Sequence, residues 1–138
     1  MLAFLKSRAK DYYKNLPYHN YDHALKVLAN VKDLLEKCKK YDLHVDEEAV
    51  MIAALFHDAG YYQKTLFGSK EEYSAYIAEK ELKALNFPEK TIKLVKECIL
   101  ATEKNADFTR PEQKILRIAD LYDFSSDYKD FKKRLRIN

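Results

Sequence analysis

Two ionisable residues, His57 and Asp58, stand side by side at the end of an apolar run, Ala49-Val50-Met51-Ile52-Ala53-Ala54-Leu55-Phe56. Polar groups delivered to the inner end of such a run are costly to bury unless something pairs with them. A divalent metal is the partner that suits a neutral imidazole and a carboxylate together. A dyad alone is a weak signal, so the other possible ligands matter. The remaining histidines are His19, His23 and His44, and the first two share one segment, Pro17-Tyr18-His19-Asn20-Tyr21-Asp22-His23-Ala24-Leu25-Lys26-Val27. Asp120 lies inside a late apolar run, Ile115-Leu116-Arg117-Ile118-Ala119-Asp120-Leu121-Tyr122. Taken singly, each has a plainer reading. His23 could be a satisfied core histidine, His57-Asp58 a polar pair at a helix end, and Asp120 a cap or a partner of Arg117. His44, in the polar connection from Lys40, reads as exposed and without a role.

The elements that must position these residues are all helical. Residues 46–58 read as a buried helix. Asp46 is its N-cap, Glu47 and Glu48 suit the positive end of the helix dipole, and Gly60 is its C-terminal stop. From Asn20 to Lys40, apolar Ala24, Val27, Leu28, Val31, Leu34, Leu35 and Cys38 recur three and four apart, so His23 sits at the edge of a buried stripe. His19 lies one turn earlier and points the same way if the helix has begun by then. The first helix spans Leu2 to about Asn15, with Phe4, Leu5, Tyr12 and Tyr13 as its apolar residues, and Pro17 ends it. Ser69-Lys70-Glu71-Glu72 has the form of a capping box and opens a fourth helix to about Leu85, with Tyr76, Ile77, Leu82 and Leu85 in the core. Pro88 suits the first turn of a fifth, to about Ala101, with Ile92, Val95 and Ile99 on one face. Pro111 opens a sixth through about Phe124, and Asp127–Leu135 suggests a short charged terminal helix. There is no strand pattern, repeat or internal linker.

The fold class is therefore all-α: a single domain of about six helices, residues 1–138, around the Asp46–Asp58 helix. The chain has 138 residues, enough for one sizeable core, and only two glycines and three prolines, which argues against a loop-rich or all-β fold. A net charge of +3 is too small to imply nucleic-acid binding. No stretch is long and apolar enough to span a membrane, and Met1–Lys6 is too short for a signal-peptide core. Cys38 and Cys98 are isolated, with no metal or redox spacing. A reduced, cytoplasmic setting is expected.

A histidine on one helix, a His-Asp pair on a second and an aspartate on a late helix form a pattern that resembles the HD-domain superfamily of metal-dependent phosphohydrolases, from roughly Pro17 to Phe124. The resemblance implies four metal ligands: His23, His57, Asp58 and Asp120. The segment around His19 is similar to the Tyr-His-Asn-x-x-His-Ala-x-x-Val motif of cyclic-nucleotide phosphodiesterases within that superfamily, where the first histidine is the general acid. By that likeness His19 is the acid here. Its plainer reading is a helix-start histidine bonded to backbone. Two nitrogens and two or three carboxylate oxygens leave positions for water and substrate, and they suit Mn, Fe, Co, Ni or Zn better than Ca, with Mg also considered. Lys70-Glu71-Glu72-Tyr73-Ser74-Ala75 is similar to the Asn-Glu-x-x-Ser-Ala context of some HD phosphohydrolases, with Lys in place of Asn. Glu71 is then the residue that would position the attacking water, and Glu72 completes the capping box. Lys64, Lys70, Lys104, Arg110 and Arg117 are candidate phosphate binders, each also readable as a solvated surface charge. Arg117, one turn before Asp120, comes first, and Lys104 is taken with it.

The chain departs from the phosphodiesterases after the His-Asp pair. Ala59-Gly60-Tyr61-Tyr62 follows, and no histidine comes later. A fully ligated second metal position and two-iron oxygenase chemistry are therefore not expected. The function expected is hydrolysis of a phosphomonoester or phosphodiester of a nucleotide or other small phosphorylated metabolite. The alternatives are a catalytically idle metal-binding regulatory module and a helical scaffold without metal.

Overall fold

The computed structural model describes residues 1–13, 19–61 and 68–121. Among them are six α-helices and no strand: α1 (Leu2–Lys10), α2 (Tyr21–Lys40), α3 (Glu47–Phe56), α4 (Lys70–Ala84), α5 (Glu89–Leu100) and α6 (Pro111–Leu121). The all-α expectation and the six-helix bundle hold. The expected helix at 127–135, Lys64, and Tyr18 of the Tyr-His-Asn motif lie outside the described residues.

α3 is the axis of the bundle. It contacts each of the other five described helices. Its Ala49, Val50, Ile52, Ala53, Ala54, Leu55 and Phe56 are buried, as an element without a polar face must be. The three alanines let neighbouring helices approach closely. Asp46 caps it by accepting the Ala49 N–H at 3.1 Å. The seven apolar residues expected to line α2 are all buried.

Four local expectations need correction. α1 ends at Lys10 rather than near Asn15. Tyr12 and Tyr13 instead form turn bonds to the carbonyls of Ala9 and Lys10, which frees the Tyr13 hydroxyl to donate to Leu55 O at 2.6 Å. α3 ends at Phe56, one turn short of Gly60. Gly60 is not a left-handed stop, because the glycine with positive φ among the described residues is Gly68. The reason for Gly60 is space: a Cβ there would meet the Ser74 backbone nitrogen at 2.6 Å and the Tyr73 carbonyl carbon at 2.9 Å. Tyr76 and Phe4 are exposed rather than in the core. The buried stripe of α4 runs through Glu71, Ser74, Ala75, Ala78, Glu81 and Leu82, with Ile77 beside it, and Tyr76 lies on the other face. That stripe tolerates Glu81 because Arg8 donates to both of its carboxylate oxygens, at 2.8 and 2.9 Å.

Candidate metal centre

His57 is the best-defined group of the site. It follows the last turn of α3 and is 1% exposed. Its Nδ1 lies 2.7 Å from the Ala54 carbonyl. A carbonyl can only accept, so Nδ1 carries a proton, and in the neutral ring that a metal would bind Nε2 presents a lone pair. That Nε2 is buried and has no hydrogen-bond partner. It faces Asp58 Oδ2 at 3.4 Å and Asp120 Oδ1 at 3.3 Å. A buried lone pair aimed between two carboxylates is a poor hydrogen-bonding arrangement and a good half of a coordination sphere.

The other half comes from α2 and α6. Asn20 caps α2 by accepting the His23 N–H at 2.9 Å, which fixes His23 in the first turn. His23 Nε2 is 3.1 Å from Asp120 Oδ1 and 3.8 Å from Asp58 Oδ2. Asn30, two turns along α2, donates to the Ala119 carbonyl at 3.0 Å and holds α6 in register beside it. His23, His57 and Asp120 each offer a ligand atom within 4.8 Å of the others. Two atoms bonded to one ion at about 2.1 Å are about 3.0–3.4 Å apart at right-angled or tetrahedral geometry. The shorter separations match that spacing, and Asp58 Oδ2 lies beside the group, 3.4 Å from His57 Nε2 and 3.8 Å from His23 Nε2. The donors fit a divalent cation.

The charges agree with this. Burial would push the Asp58 carboxyl up, but His57, His19 and Lys70 overrule it and hold the group well below the usual carboxylate range. Asp120 is held down in the same way, against its own burial, by His23 and His57. Burial would strip the proton from His57, whereas Asp58 and Asp120 reverse that and favour a positive charge at the ring. The pocket is built to hold cationic charge between two carboxylates.

His19 precedes α2 rather than belonging to it, since Asn20 is the N-cap. Its Nδ1 nonetheless lies 3.0 Å from Asp58 Oδ2, and its side chain is 31% exposed. Tyr61 stacks on the imidazole, with ring centroids 3.9 Å apart and planes 18° from parallel. Lys70 sits over the same tyrosine, its Nζ 4.9 Å from the ring centroid and 3.5 Å from Asp58 Oδ1. Glu71 is buried and reaches the group through Lys70, at 3.8 Å. Glu72 lies outside it, its backbone N–H taken by Ser69 Oγ as a capping box requires.

Arg117 and Lys104 are not brought to this cluster by any bond found for them. The Arg117 guanidinium donates to the carbonyls of Ala101, Glu103 and Lys104, bracing the loop after α5. Lys104 is an exposed residue of that loop. Lys70, ranked behind them in the sequence, is among the described residues the lysine that lies beside Asp58. Tyr61 carried no sequence signal beyond belonging to a tyrosine-rich chain, and Tyr13 was legible only as an apolar residue of the first helix. His44 is exposed, as expected, with its ring 3.3 Å from Asp42.

The family model for the HD domain matches residues 20–125. The chain belongs to the HD-domain family. Members of that family bind divalent metals and are typically hydrolases. No curated protein and no solved structure matches the chain. No described helix is long and apolar enough to cross a membrane.

Proposed function

We propose that this HD domain hydrolyses a phosphoester, mono- or diester, of a nucleotide or another small phosphorylated metabolite, using one divalent transition metal. The observation that carries the reading is the buried Nε2 lone pair of His57, set between two carboxylates with His23 alongside. His23, His57, Asp58 and Asp120 would hold the ion. A divalent cation there supplies Lewis acidity, lowering the pKa of water and drawing charge from a phosphoryl oxygen.

The chain's own residues do the rest. His19 donates the proton that the leaving alkoxide needs. Its Nδ1 lies 3.0 Å from Asp58 Oδ2, a contact that orients the imidazole at the edge of the site. Stacking on Tyr61 restricts the ring to one plane. Glu71, buried on the same rim, is the acid we assign to orienting the attacking water.

A panel of phosphomonoesters and phosphodiesters, run with Mn, Co, Ni, Mg or Zn, tests this reading. Activity with at least one metal, abolished by chelator and by His57→Ala, is the expected result. Stoichiometric metal binding with no turnover of any substrate would instead leave a metal-binding regulatory module.

A further inference from the structure

Lys70 is the first residue of α4, where the positive end of the helix dipole disfavours a cation. It also stands where the Asn-Glu-x-x-Ser-Ala pattern has an uncharged asparagine. Something must offset the cost. Its Nζ lies 3.5 Å from Asp58 Oδ1 and 3.8 Å from Glu71 Oε2. Both separations exceed hydrogen-bond length. The ammonium is thus held between two carboxylates by charge, and an acceptor of higher charge density can compete for its donors. The ring of Tyr61 lies 4.9 Å from Nζ and limits where the side chain can swing. About a third of the side chain is open to solvent, so a ligand can reach it.

We propose that Lys70 is the substrate-recognising cation of this site, taking a non-bridging oxygen of the phosphoryl group; the inference rests on the phosphohydrolase reading above. Asp58, Asp120 and Glu71 bring three negative charges to the rim. A divalent cation cancels two, and Lys70 cancels the third. The phosphoryl group then meets a rim of donors that carries no net negative charge. Other basic residues are less suited. Arg117 is engaged by three carbonyls. Lys26 lines a cavity of about 150 Å³ with His23, Asn30 and Asp120, to which neither His19 nor Asp58 contributes.

The test is calorimetric titration of inorganic phosphate into Mn(II)-loaded protein, with Mn content measured in each variant. Lys70→Met should weaken phosphate about tenfold or more, the scale of one charged hydrogen bond lost, while Mn content and melting temperature hold. Lys70→Arg should recover most of the affinity. Unchanged phosphate affinity in Lys70→Met would overturn the assignment, as would a loss seen in Lys26→Met instead. Loss of Mn from Lys70→Met, with normal phosphate affinity once Mn is saturating, would make Lys70 a brace for Asp58 and also overturn it. If loaded wild-type protein binds no phosphate, the phosphohydrolase reading fails first, and that outcome is recognised in the wild type alone.

Discussion

His19 owes its place to Asp58 rather than to α2. The sequence spacing suggested two imidazoles on one helical face if the helix had begun by His19, yet Asn20 is its N-cap and the helix begins at Tyr21. What brings His19 to the site is a 3.0 Å bond to a carboxylate thirty-nine residues away, with Tyr61 against its ring. This has a kinetic consequence. A general acid matters in proportion to the leaving group's need for a proton. His19→Ala should keep its metal and lose ~10²–10⁴-fold in rate on an alkyl phosphoester. On a nitrophenyl ester, whose leaving group departs unprotonated, the loss should be much smaller. Rates on both substrates at matched metal content decide the matter, and equal losses would assign His19 to positioning instead. The proposed ligands were legible through their order along the chain, a histidine at the start of α2, a His-Asp pair after the apolar run of α3 and an aspartate in α6, which resembles the family's pattern. The long cations were not. Where Lys70 and Arg117 send their charged ends depends on which carboxylates and carbonyls tertiary packing puts within reach, and no local pattern encodes that.

At the scale of elements, the site depends on how α3 ends. The end of the helix is fixed by two neighbours and by one of its own carbonyls. Tyr13 takes the Leu55 carbonyl, Ala54 orients His57, and Ser74 on α4 accepts the Gly60 N–H at 2.8 Å. Gly60 lets α4 come close enough for that bond, and the same approach places Lys70 and Glu71 beside Asp58. Gly60→Ala should therefore force the two elements apart. Overpacking of this kind costs about 1–3 kcal/mol. Its melting temperature should fall by several degrees, and metal affinity should fall with it because His57 and Asp58 shift. Differential scanning fluorimetry and a metal titration on the variant measure both. A variant with wild-type stability would show that α4 yields without strain. The sequence identified Gly60 as special but for the wrong reason. Glycine after an apolar helix reads as a stop, and the close approach to Ser74 is visible only once α4 is packed. Similarly, Tyr76 looked like core because it is aromatic, while the true stripe of α4 admits Glu71 and Glu81 at the expense of a clean periodic pattern.

For the whole molecule, the ligand cluster links stability to pH and to metal. Asp58 and Asp120 have depressed carboxyl pKa values in the folded protein. Their contribution is present above the ordinary carboxylate value of about 4 and is lost as pH falls through the depressed values. His57 is shifted the other way, held protonated by those carboxylates. Its contribution is complete below the ordinary histidine value of about 6.5 and is lost as pH rises through the raised one. Chelated protein should thus be most stable between about pH 4 and 6.5, and should lose melting temperature on the alkaline side. In loaded protein the cation replaces the proton at Nε2, so the alkaline loss should disappear. On the acid side, protons compete for the imidazoles and the metal is released. The stabilisation given by metal should consequently grow with pH, from small near pH 5.5 to largest near pH 8. Melting curves of chelated and Mn-loaded protein across that range measure the difference directly. A difference that stays constant with pH would mean that His57 carries no extra proton in the metal-free fold, and that the two carboxylates repel across the cluster without a cation between them.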